Sequence, residues 1–183
     1  MRARGGARGA GRSRGFTLIE AMIAALIVLV IAAIGAPSFK SYIVEGYVKQ
    51  ASSDLLGDMF LARSAAVRFN CDVTIAPVSG SDWTSGWTVS YPSTSTSDLT
   101  CLVGGAQTFL KKRGPTSGMT ISTVPAPLAS IVYGFDGRVG TSVNLNLIPA
   151  SMGSSVHMRC LGINPAGRPV IQVDRDYDTT NQC

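Results

Sequence analysis

Arg12–Pro37 reads RSRGFTLIEAMIAALIVLVIAAIGAP. From Phe16 to Ala36 it holds 21 residues and a single charge, Glu20. At 1.5 Å per residue, a helix of this length covers roughly 30 Å, the thickness of a bilayer core. A carboxylate in hydrocarbon costs about 2.5–3.5 kcal/mol or more, so Glu20 needs a reason to be there. The run is too long for the core of an ordinary signal peptide. It also lacks a small-x-small cleavage site before a soluble start. The stretch predicts a membrane-spanning helix over 16–36 with one functional carboxylate near its beginning. Pro37 predicts a kink, with helix on both sides of it.

Residues 1–15 contain only Met, Arg, Ala, Gly and Ser, with five positive charges and no acid. They read as a solvated leader rather than a folding unit, and beside the apolar run their charge is a positive-inside flank. The net charge of +5 belongs to this leader, because from Phe16 onward the chain has 11 Lys+Arg and 11 Asp+Glu. Bulk charge therefore gives no argument for a nucleic-acid partner.

Downstream of Pro37 the helical pattern resumes. Val48, Ala51, Leu55, Met59, Ala62 and Ala66 step by three and four, which makes one apolar stripe. Asp54, Asp58, Arg63 and Arg68 fall off that stripe. The spacing predicts one helix from about Thr17 to Phe69, apolar all round in 16–36 and amphipathic in 37–69. From 70 to 183, short β-prone runs alternate with turn residues. Eight strands are expected, at 72–76, 86–91, 107–112, 119–123, 130–135, 143–148, 155–161 and 169–173. SGSDW, FDGRV and NPAGRP read as turns, and 91–98 as a polar loop. The predicted class is α+β: a long N-terminal helix packed on a small antiparallel β domain.

Little here points to catalysis. The sole histidine, His157, sits between Val156 and Met158 in an expected strand, and no nucleophile elbow, metalloprotease helix, P-loop or dinucleotide fingerprint appears. No cofactor is implied. Asp174, Asp176 and Asp178 alternate like calcium ligands but lack the glycine and distal glutamate of a calcium loop, so no metal site is expected. Trp83 and Trp87 read as core packing. Cys71, Cys101, Cys160 and Cys183 all follow the apolar run, an even count that fits two disulfides in an oxidising compartment. Three pairings are possible. The most local, Cys71–Cys101 with Cys160–Cys183, closes loops of about twenty to thirty residues, each worth roughly 3–4 kcal/mol.

Glu20 acquires a purpose if the leader is removed after Gly15. Phe16 would then begin the chain with a free amine, a cation beside the membrane. Glu20 of one subunit would pair with the Phe16 amine of a neighbour, so both charges would be compensated in a low-dielectric setting. Its place in the first helical turn also suits the helix dipole.

Gly15, Phe16, Glu20, the unbroken apolar run and Pro37 together resemble the type III prepilin signal of type IV pilins and type II secretion pseudopilins. The resemblance implies a cut between Gly15 and Phe16 by a prepilin peptidase, N-methylation of Phe16, and a role for Glu20 in subunit docking. Further along, LARSAAVRFNCDVTI (61–75), DWTSGWTVSY (82–91) and RCLGINPAGRPVIQV (159–173) resemble the GspH/FimT/FimU group of minor pilins and pseudopilins. That likeness implies a structural subunit and no enzyme. Such a subunit primes assembly near the tip of a type IV pilus, with other minor and major pilins as partners. It is held in the inner membrane first and in a periplasmic and cell-surface filament afterwards. It also implies a C-terminal tail stapled by a disulfide. A GspH-like pseudopilin of type II secretion is the alternative. A DNA-binding minor pilin for natural transformation is a third possibility, since some FimT-type pilins use a Gly-Arg-x-Arg motif. Here Gly167-Arg168 matches, but Val170 replaces the second arginine. Lys111, Lys112, Arg113, Arg138, Arg159 and Arg175 are the cations left to form a patch.

Overall fold

The computed structural model describes residues 15–92, 106–150 and 156–174, with the side chains of 34–38 outside that set. The chain forms two compact units, Met1–Ser38 and Phe39–Cys183.

A single helix, α1, runs from Leu18 to Phe69, within one residue of the sequence expectation. It continues through Pro37, whose side chain lies outside the described residues, and the two units divide just after that proline. In the first unit every described side chain from 15 to 33 is exposed. Among the described residues no helix is long and apolar enough to cross a membrane. The predicted span over 16–36 includes residues whose side chains are not described, so it stands as a reading of the sequence.

In the second unit α1 behaves as an amphipathic helix. The predicted stripe of Val48, Ala51, Leu55, Met59, Ala62 and Ala66 is buried, none of the six more than 6% exposed. Burial of such side chains contributes about 25 cal/mol per Å² of apolar surface. The helix closes at Asn70, which has φ +53°, and the Cys71 N–H donates back to the Ala66 carbonyl. This left-handed residue after the last turn is a common helix stop.

Among the described residues eight strands follow: β1 (Val73–Ser79), β2 (Asp82–Pro92), β3 (Gln107–Lys112), β4 (Met119–Val124), β5 (Ile131–Tyr133), β6 (Val143–Pro149), β7 (Arg159–Ile163) and β8 (Pro169–Val173). They form two four-stranded antiparallel sheets, β3-β2-β1-β5 and β4-β6-β7-β8. Residues alternate between faces. Val73, Ile75, Trp87, Val89, Ile131 and Tyr133 of the first sheet share one core with Met119, Ile121, Leu145, Leu147, Leu161 and Ile163 of the second, and with the helix stripe.

Several strand boundaries differ from expectation, three of them for a visible reason. β2 starts at Asp82, because Ser79 pairs with Asp82 and the hairpin turn closes over Gly80 and Ser81 alone. Gly80, at φ +54°, suits so tight a turn. β5 ends at Tyr133 because the chain folds back at once, with the Gly137 N–H donating to Gly134. β7 begins at Arg159 rather than 155, since the His157 N–H is bound by a carboxylate on α1 instead of by a neighbouring strand.

Candidate processing and assembly site

Gly15, Phe16 and Thr17 precede the helix in non-helical backbone, and Phe16 is 83% exposed. Thr17 caps α1. Its carbonyl accepts from the Ala21 N–H at 3.1 Å, and its Oγ1 accepts from the Glu20 N–H at 3.3 Å. Thr17-Leu18-Ile19-Glu20 therefore follows the Thr-x-x-Glu spacing of a capping box. That signal was legible in the sequence and adds a local reason for Glu20 to the dipole argument. Among the described residues the Glu20 carboxylate has no ionic partner within the subunit. Around it Leu18, Ile19, Met22, Leu26 and Leu29 are all more than half exposed.

The second unit grips its part of α1 with two charged clusters. Asp58, read as an off-stripe surface residue, is 3% exposed. Its Oδ2 accepts from Trp87 Nε1 and from Arg113 Nε, both at 2.9 Å. Arg113 also reaches Asp54 at 3.2 Å, and Asp54 accepts from Gln50. The hydrogen bond that Arg113 donates to Asp58, opposed by burial and helped by the charges of Asp58 and Asp54, raises the Arg113 pKa above its already high ordinary value. Arg113 is brought there by backbone. Its N–H donates to the Trp87 carbonyl at 2.8 Å, and Gly86, at φ +93°, lies so close that a Cβ would overlap the Arg113 carbonyl oxygen. Periodicity missed Asp58 because its partners come from β2 and from the segment after β3.

The other cluster is centred on Glu45. Its Oε1 accepts from Arg159 Nη2 at 3.0 Å and its Oε2 from the His157 N–H at 3.1 Å. Arg159 and Arg113, counted from sequence as cations for a patch, are thus both spent on internal pairs with carboxylates of α1. Trp83 and Trp87 are core residues as expected, and the Trp83 indole donates to the Leu128 carbonyl.

Arg168 is exposed, in a turn closed by Gly167 N–H to Asn164 and by its own N–H to the Asn164 side chain. The FDGRV turn is built alike: Gly137 N–H bonds Gly134, and Arg138 N–H bonds the Asp136 side chain. The two turns touch. Gly167 has φ +72° and packs against the Gly137 carbonyl, which also accepts from Arg63 Nε at 3.1 Å. The Arg138 backbone therefore lies against Gly167, and its side chain pairs loosely with Asp136 at 3.8 Å. Val170 is exposed and supplies no charge. Arg175, Asp176 and Asp178 lie outside the described residues.

Cys71 and Cys160 are buried and disulfide-bonded. Cys101 and Cys183, their partners in the pairing expected from sequence, lie outside the described residues.

The fold has relatives among solved structures. The type IV minor pilin FimU of Pseudomonas aeruginosa superposes with a TM-score of 0.51 at 18% identity, covering 70% of this chain and 88% of that one. The minor pseudopilin EpsH of the Vibrio cholerae type II secretion system gives 0.50 at 12% identity, covering 74% and 99%. At such identities the likeness is one of fold. No curated protein matches the sequence. The model of the prokaryotic N-terminal methylation motif matches residues 11–36, and that of the type II transport protein GspH matches residues 51–167. A long helix with an uncovered apolar end, docked further along on an antiparallel β domain, defines a subunit of the pilin and pseudopilin class. Within that class, the chain belongs to the GspH family.

Proposed function

We propose that this chain is a minor pilin of a type IV pilus, one that helps to prime assembly and sits near the filament tip. The observation that carries this reading is apolar helix surface left uncovered by the subunit itself. Besides the 16–33 stretch, Phe39, Tyr42, Phe60 and Val67 of α1 are each about half exposed or more. Gly46 and Gly57 have nothing within 4 Å of where a Cβ would stand. A glycine inside an exposed helix costs about 0.5–1 kcal/mol relative to alanine, which is reasonable where another helix or domain must come close. In this reading residues 1–15 are removed by a prepilin peptidase and Phe16 is N-methylated. The inner membrane holds 16–36 until Glu20 docks the subunit against a neighbour's amino terminus. The two disulfides are Cys71–Cys101 and Cys160–Cys183. A pseudopilin of type II secretion is the second reading, favoured by the GspH match over 51–167.

The test is to express the full chain and its Glu20→Leu variant in a host with its own pilus and secretion machinery, and to assay sheared surface filaments and envelope fractions. The expectation is that wild type is found in the sheared filaments. The variant is expected to stay folded in the inner membrane and absent from them. Wild type confined to the envelope, with a secretion defect on deletion, would replace the first reading by the second. Equal incorporation of the variant would remove the role given to Glu20.

A further inference from the structure

We infer that Thr17 is a positioning residue for leader removal: its capping bonds start α1 at Leu18 and so keep the Gly15–Phe16 peptide outside the helix. This rests on the reading that the chain is cut between those two residues. A peptide bond inside a helix has its carbonyl engaged by an N–H four residues on and is flanked by neighbouring turns, so a peptidase reaches it only after unwinding. Here the Thr17 carbonyl is the first acceptor of the helical ladder, taking the Ala21 N–H at 3.1 Å, while Thr17 Oγ1 takes the Glu20 N–H at 3.3 Å. Gly15 and Phe16 lie before this boundary in non-helical, exposed backbone, and Gly15 has open space around its missing Cβ. The boundary needs defending, because the sequence offers another. Ser13, four residues upstream, is the next side chain of the capping type. A helix started from Ser13 would carry Arg14, Gly15 and Phe16 in its first turn and draw the scissile peptide into the ladder. The low helix propensity of Gly15 and the cap at Thr17 act together against that shift.

The experiment follows removal of the leader by mass from the full chain in membranes containing a prepilin peptidase. It compares wild type with Thr17→Ala, Thr17→Val, Thr17→Ser and Thr17→Asn. Losing an N-cap is expected to slow cleavage by up to about fivefold in the alanine and valine variants, the limit set by the typical energy of such a cap. Serine and asparagine, which cap but differ from threonine in shape, are expected to cleave within about twofold of wild type. Cleavage of Thr17→Ala at the wild-type rate would overturn the inference. So would equal slowing of all four variants, since the peptidase would then be reading the threonine side chain itself. Wild type left uncut would remove the processing reading beneath it, a result distinct from either.

Discussion

The two halves of α1 both carry leucines and carboxylates and treat them oppositely. Leu26, in the first unit, is 63% exposed, whereas Leu55, in the second, is fully buried. Carboxylates differ in the same way. Glu20 has no ionic partner among the described residues, while Glu45 and Asp58 are each held by an arginine and one further donor. The second half buries one apolar stripe and pairs these carboxylates within the chain, although Phe39, Tyr42, Phe60 and Val67 stay exposed. The first leaves its apolar surface exposed and Glu20 without an ionic partner among the described residues, which in the proposed reading a membrane or a neighbouring subunit completes. The contrast shows that the same helix can be a core element at one end and carry uncovered apolar surface at the other.

The sharpest way to break that contrast is a matched pair. Leu55→Ala should destabilise the β domain by about 2–5 kcal/mol through lost burial and an unfilled cavity, whereas Leu26→Ala should leave its stability unchanged. Urea unfolding of the full chain in detergent, read by tryptophan fluorescence, suits the purpose, since both tryptophans are in the core of this domain. Similar losses for the two variants would mean that the first half also folds against its own subunit.

Next in size is Asp58→Ala. It leaves the Arg113 guanidinium and the Trp87 indole without their shared acceptor, and removal of one member of a buried pair typically costs about 3–5 kcal/mol. Asp54 still faces Arg113 at 3.2 Å, which places the expected loss at about 3 kcal/mol. A loss under about 1 kcal/mol in the same unfolding assay would show that Asp54 alone suffices as the partner of Arg113.

The smallest effect concerns Tyr133, fully buried with a hydroxyl that has no hydrogen-bond partner among the described residues. Burial pushes its phenol up to about 12 from the ordinary 10, although the nearby Arg63 charge pulls it partly back. The unfolded chain ionises this phenol near the ordinary value of 10, while the folded chain keeps the proton to about 12. The associated stability is therefore full below pH 10 and is lost as pH rises from 10 through 12. Tyr133→Phe should raise stability at neutral pH by about 1 kcal/mol, since an unmet polar group is removed, and should flatten the alkaline fall. An unchanged alkaline profile would assign that fall to other groups.

Much of this could be read from the chain because it depends on local pattern. The helix ends, the buried stripe and most of the eight strands follow from periodicity of three to four or of two. Gly137 lies in FDGRV, read as a turn, and has φ +73°, the left-handed region that glycine enters most readily. Leu26 and Leu55, by contrast, look alike in composition, and only their neighbours in space separate them. Asp58 looked like surface because helical periodicity reports which face a residue occupies, not which indole and guanidinium come to meet it. Arg113 and Arg159 looked available to a ligand for the same reason, their carboxylate partners being 55 and 114 residues away along the chain. The sequence by itself determined a basic N-terminal segment, an apolar helix with one carboxylate, an amphipathic continuation and a β domain, because hydropathy and spacing act over a few turns. Only the tertiary structure decided which charges are spent internally, which turns touch and which apolar surface is left uncovered, because those depend on contacts between residues far apart in the chain.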